Sequence, residues 1–201
     1  SLEEITDYFQ SIGEQKFRAK QVYEWLWQKH AHSFADMTNL SKELRQKLGD
    51  SFTLSALTVD ATQYSADGTV KSRFRTHEGY LIEGVLIPTD ERKTACVSSQ
   101  IGCSLSCKFC ATGYIDRKRN LNYDEIYDEV VLINQQSERV YEKKLTNIVF
   151  MGMGEPLLNY KNVLKAIEKI TSPDGLGMSP RRITVSTAGV AKQIKQLGDD
   201  E

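Results

Sequence analysis

From about residue 93 onward the chain alternates short apolar runs with amphipathic stretches, and this alternation restricts the fold more than any other feature. Thr94–Ser98, Leu145–Met151 and Ile183–Ser186 read as strands. Asn122 with Glu125 makes a capping box for a helix whose face carries Ile126, Val130 and Ile133. Asn159 opens a second helix with Val163, Ile167 and Ile170, and a third begins at Val190. Strand, loop and helix in repetition predict an α/β fold around a parallel sheet. With its last residue at Glu201, a sheet of three such units would be left with one uncovered edge.

Upstream the pattern changes twice. Over residues 1–50, Leu2, Ile5, Phe9 and Ile12 recur at helical spacing, and Gly13 interrupts them. Phe17, Val22, Trp25 and Leu26 mark a second helix, and Ser41 can cap a third that carries Leu44 and Leu48. Residues 51–90 read as a strand connector, with Asp67-Gly68 as a hairpin turn. Lys71, Arg73 and Arg75 would share one strand face, either as a nucleic-acid contact stripe or as a solvated face. Tyr80 to Ile87 is apolar enough to be buried, yet it contains Glu83. Residues 91–201 form the third region.

Hydrophobic residues are 40% and charged residues 26%, which excludes a disordered or collagen-like chain. No apolar run approaches the roughly 20 residues of a membrane span. The polar start, without a signal-peptide pattern, predicts a cytoplasmic protein. Twenty-six basic residues against 27 acidic ones do not announce a nucleic-acid binder, although a local basic face would suffice.

All four cysteines, Cys96, Cys103, Cys107 and Cys110, fall within fifteen positions. In a reducing compartment this clustering points to metal or redox chemistry rather than a disulfide scaffold. Cys103, Cys107 and Cys110 place three thiols within eight residues, in a loop after a strand. Iron–sulfur clusters are held by thiolates, usually four to a cubane, so three leave one iron open. Structural zinc would need a fourth ligand, and Cys96 stands seven residues upstream, outside the paired spacing of zinc ribbons.

The CxxxCxxC spacing resembles the radical S-adenosylmethionine (SAM) superfamily. The longer string CVSSQIGCSLSCKFCATG resembles the RlmN family of RNA adenine methyltransferases. GEQKFRAKQVYEWLWQK is similar to that family's N-terminal helical domain, an RNA-binding type of domain. SADGTVKSRF, IEGVLIP, GMGEPLLNY and RRITVSTAGV follow in the family's order, so the resemblance covers essentially the whole chain. It implies an N-terminal helical domain followed by an incomplete radical-SAM parallel β/α barrel.

The same resemblance implies roles. Cys103, Cys107 and Cys110 match the ligands of a [4Fe–4S] cluster, and Gly154, Glu155 and Ser186 match SAM-contacting positions. On residue type alone, GMGEP is a glycine-rich turn and Ser186 a helix cap. Cys96 matches a cysteine that resolves a protein–RNA intermediate by forming a disulfide; without the resemblance it is a small buried hydrophobe. Glu83 matches a proton acceptor, and desolvation in an apolar run would suit a base; its plainer reading is a strand-face glutamate paired with an arginine.

The implied reaction is methylation of C2 of an adenine in 23S ribosomal RNA and in transfer RNA. C2 is electron-poor and cannot attack the SAM methyl group, whereas a carbon radical can add to it. In the family that carbon comes from a methylated cysteine near the C-terminus, and this chain ends before it. The 201 residues are therefore expected to be an inactive fragment of a SAM-dependent methyltransferase. A reductant such as flavodoxin, no membrane and a monomeric full-length enzyme are also expected. Arg117, Lys118 and Arg119 offer phosphate contacts or form a solvated run before a helix. Three alternatives remain open: a C8-methylating relative, a non-catalytic iron–sulfur or RNA-binding module, and a zinc-stabilised RNA-binding domain.

Overall fold

The computed structural model describes residues 1–54 and 57–200. It divides into two compact units, Ser1–Ser55 with Ser172–Gly177, and Ala56–Thr171 with Met178–Glu201.

The first unit is helical: α1 (Leu2–Ser11), α2 (Lys16–Trp27) and α3 (Lys42–Ser51). Ser1 and Glu4 form a capping box on α1, and the Ser41 hydroxyl accepts the Leu44 N–H at 3.2 Å on α3. Phe9, Ala19, Val22, Met37, Leu40, Leu44 and Leu48 form the core. Phe17 does not join the stripe expected of it and is 51% exposed. At 100° per residue it lies about 200° round the helix from buried Ala19.

The second unit is built on a six-stranded sheet. In chain order its strands are β1 (Thr58–Tyr64), β2 (Val70–Arg75), β3 (Leu81–Pro88) and β4 (Lys93–Cys96), then, past a small ribbon, β7 (Asn147–Phe150) and β8 (Ile183–Val185). The ribbon pairs β5 (Gln100–Ile101) with β6 (Arg119–Asn120). The helices are α4 (Tyr123–Tyr141), α5 (Tyr160–Thr171) and α6 (Ala191–Asp199). Sheet order is β1-β2-β3-β4-β7-β8. Neighbours from β1 to β4 run antiparallel, while β4–β7 and β7–β8 are parallel. The fold is thus α/β with three parallel strands, each followed by a helix. Residues 51–90 contribute β1, β2 and β3 to the same sheet.

Tyr80 to Ile87 is not buried throughout, as its apolarity suggested. Ile82, Gly84 and Leu86 point inward, whereas Leu81, Glu83 and Ile87 are exposed. The cause is the pleat: α4 covers one face of β3, and alternate residues turn away from it. Gly84 lets the helix close in, since a Cβ there would meet Glu129 Oε1 at 2.7 Å and Ile133 Cδ1 at 2.9 Å.

On α4, Asp128 accepts the Leu57 N–H at 3.2 Å. Burial, reinforced by Asp124 and Glu125, pushes its carboxyl up to about 7. The folded chain therefore holds a proton that the unfolded chain has released, and stability should fall as pH rises from about 4 to about 7. Unfolding free energies from denaturant titrations at pH 5 and pH 8 should show this, with Asp128→Asn reducing the difference by on the order of 1–3 kcal/mol. Among the described residues no helix is long and apolar enough to cross a membrane.

Candidate active site

Apart from Glu83 on β3, the candidate residues lie at or beyond the carboxyl ends of β4, β7 and β8, where parallel sheets present ligand sites. The chain leaves β4 at Cys96, forms β5, runs through the cysteine loop and returns as β6. Lys118 N–H donates to Ile101 O at 2.8 Å and Cys103 N–H to Ile115 O at 3.2 Å, closing the loop at its base. Cys110 N–H donates to Cys107 O at 3.0 Å and Gly113 N–H to Cys110 O at 2.9 Å, tightening its tip. Gly102 (φ +76°) is forced at the neck, because a Cβ there would lie 2.3 Å from Asp116 O.

Cys103, Cys107 and Cys110 are free thiols, half-buried in this loop, and Phe109 beside them is 95% exposed. Among the described residues no three Cys, His, Asp or Glu side chains are already drawn together around a point. The donor set nevertheless fits an iron–sulfur cluster: three soft, unbridged thiols on one internally bonded loop, none buried in the core.

The GMGEP loop follows β7 and is fastened to residues 97–100. Gly152 N–H donates to Val97 O at 3.0 Å, and Ser99 N–H to Met153 O at 2.8 Å. Glu155 N–H donates to Gln100 Oε1 at 2.9 Å. Gly154 (φ +93°) packs so closely that a Cβ would lie 2.5 Å from the Gln100 Cβ. The Glu155 side chain is buried, and its carboxylate accepts Leu157 N–H at 2.9 Å and Ala188 N–H at 2.7 Å. It thereby bridges the segments that follow β7 and β8. Ser186 lies exposed just beyond β8, and it is not the helix cap that residue type alone suggested, since the N-cap of α6 is Val190.

Glu83 and Cys96 share the sheet face opposite α4. Val85 is opposite Cys96 in the β3–β4 register, and Glu83 lies two residues along on the same face. Glu83 is not desolvated as expected: it pairs with Lys71 at 2.8 Å, each side chain 46% exposed. The pairing partner is thus a lysine, while Arg73 stands opposite Glu83 in the β2–β3 register. Cys96 is half-buried, and desolvation, more than any other cause, pushes its thiol up.

The basic stripe of β2 is present but neutralised by neighbours. Arg73 binds Asp60 at 2.5 Å and Arg75 binds the other oxygen of the same carboxylate. These arginines hold Asp60 below the usual carboxylate range. Arg119 is likewise held by Glu78 at 2.6 Å and Glu125 at 2.7 Å, which takes it out of the phosphate-contact reading of residues 117–119.

Four residues to which the sequence reading gave no part in the site build its frame. Buried Asn159 donates to Ser99 O at 2.8 Å and Leu121 O at 2.7 Å. Gln100 and Ser98 lie inside the quoted cysteine string, but nothing in their spacing shows which way they point. Glu129 is fully buried under residue 98, and burial pushes its carboxyl well above the usual range. Its signal was available, since it falls between Ile126 and Ile133 on the apolar stripe of a helix.

A model of the ribosomal RNA large subunit methyltransferase N-terminal domain matches residues 1–54, and a radical SAM superfamily model matches residues 97–200. A probable dual-specificity RNA methyltransferase RlmN from Cytophaga hutchinsonii is 60% identical over 201 residues, covering 100% of this chain and 55% of that protein. A dual-specificity RNA methyltransferase RlmN from Geotalea uraniireducens is 46% identical over 198 residues, covering 98% and 56%. The crystal structure of a radical SAM methyltransferase from Sphaerobacter thermophilus superposes with a TM-score of 0.88 at 38% identity, covering 98% of this chain and 58% of that one. The chain therefore spans about half the length of the curated relatives it matches.

Proposed function

The chain belongs to the radical SAM superfamily, and from that premise we propose that it is part of a methyltransferase acting on C2 of an adenine in 23S ribosomal RNA and in transfer RNA. The observation that carries this is the cysteine loop at the end of β4, bonded through residues 97–100 to the GMGEP loop, with Cys96 and Glu83 on one adjoining sheet face. The names of the relatives support an RNA substrate.

Cys103, Cys107 and Cys110 would hold a [4Fe–4S] cluster. Such a cluster supplies the electron that cleaves SAM reductively. Gly154, Glu155 and Ser186 would hold SAM, with Glu155 fixing the loop through the backbone of Leu157 and Ala188. Glu83 would take the C2 proton, and opening of its ion pair with Lys71 would free the carboxylate. Cys96, whose thiol is pushed up by its surroundings, would lose its proton and attack the sulfur of the methyl-carrying cysteine in the protein–RNA intermediate, so that the disulfide forms as the sulfur–carbon bond to the product breaks and the released carbon takes up a proton. That cysteine is not among the four of this chain, so complete methyl transfer by the 201 residues alone is not expected. Residues 1–50 would contact RNA, which must present its adenine unstacked. A flavodoxin-type reductant, a monomer and a cytoplasmic location complete the proposal.

The test is anaerobic reconstitution with iron and sulfide, then SAM and a strong reductant, with 5′-deoxyadenosine as readout. Its formation, and its loss in Cys107→Ala, is the expected result. Zinc uptake without iron or sulfide would overturn the reading.

A further inference from the structure

Ser98 lies two residues beyond Cys96, the last residue of β4, and is fully buried. Three groups converge on it. Its N–H donates to the Glu129 carboxyl oxygens at 3.2 and 3.0 Å. Its hydroxyl donates to the Glu83 carbonyl at 2.7 Å. The same oxygen accepts the Met153 N–H at 2.9 Å. The β3–β4 register ends at the pair Val85 and Cys96. Beyond that point a side chain continues the link between the two strands, and it is the side chain that also seats the GMGEP loop.

We propose that Ser98, held by Glu129 on α4, is a positioning residue of the candidate active site: one hydroxyl sets the spacing between the Glu83 strand and the GMGEP loop. The proposal rests on the reading that these two elements carry the base and hold SAM. Serine and alanine differ here by one oxygen, so the core would remain filled in Ser98→Ala. What is lost is the bridge, and the Met153 N–H is left buried without its partner. Glu129 acts as an acceptor. Burial favours its protonated form, and a glutamine amide oxygen can accept the same N–H.

The experiment uses the reconstituted chain and SAM itself as probe. It measures SAM affinity, the visible absorbance of the cluster and hydrogen exchange at the Met153 amide. In Ser98→Ala, SAM binding should weaken by about tenfold and Met153 exchange should quicken by at least about tenfold. Cluster absorbance and exchange in the β1–β2 hairpin should stay unchanged. Glu129→Gln should match the parent chain, and Glu129→Leu should behave as Ser98→Ala. The proposal is overturned if Ser98→Ala leaves SAM affinity and Met153 exchange unaltered. It is also overturned if cluster absorbance and hairpin protection fall with them, since the role would then be general stability. A parent chain that loads a cluster but binds no SAM would show that these 201 residues do not hold SAM by themselves, and Met153 exchange would then decide the role of Ser98.

Discussion

Gly102→Ala should leave the chain folded but unable to load a cluster. The neck of the cysteine loop has no room for a methyl group: the new carbon would sit 2.3 Å from Asp116 O and 2.8 Å from Ile115 O. Both obstacles are backbone atoms, and Ile115 O also accepts the Cys103 N–H, so relief must open the loop that carries all three thiols. The left-handed backbone alone costs roughly 1–3 kcal/mol for a non-glycine residue, and the clash adds to this. Gly79→Ala is the matched control, because Gly79 also has a positive φ (+87°) but nothing within 4 Å of its Cβ position. Iron and sulfide per chain should fall to background in Gly102→Ala and stay at the parent level in Gly79→Ala. Equal loading in the two variants would show that the closed neck does not matter.

Glu155→Ala should have the second large effect. Its buried carboxylate satisfies the N–H of Leu157 and of Ala188, 33 residues further along the chain. Alanine strands both donors, at roughly 1–3 kcal/mol each where they stay dry. Glu155→Gln keeps one acceptor oxygen and should recover part of the loss. Thermal unfolding should rank the three proteins parent, glutamine, alanine, with SAM binding lost in the alanine variant. An alanine variant with parental stability and SAM affinity would reduce Glu155 to a bystander.

Much of this architecture is legible locally. The capping pair Asn122 and Glu125, the helical stripe of Ile126, Val130 and Ile133, and the Asp67-Gly68 turn act over a few residues, and each appears where its spacing puts it. Tyr80–Ile87 misleads because apolarity reports a tendency to be buried and says nothing of how many faces will be covered. Only α4 settles that, by packing on one side of β3. The same uncovered side explains Glu83, whose neighbours in sequence are apolar but whose neighbour in space is Lys71. Arg119 reads as a free cation until Glu78, 41 residues away, is folded against it.

By itself, then, the sequence determined the alternation of the main strands and helices and the loop that carries Cys103, Cys107 and Cys110, while the β5–β6 ribbon was not foreseen and the strand-end motifs stood out through the family resemblance. The alternation and the loop follow from periodicity, caps and spacing, which are set by forces acting along the chain. Tertiary structure alone decided that Glu83 and Cys96 share a face, that the Glu155 carboxylate ties the segments after β7 and β8, and that Ser98 links Glu83 to Met153. Register and burial settle these matters, and both come from contacts between distant segments: a buried donor takes whichever acceptor packing brings within about 3 Å.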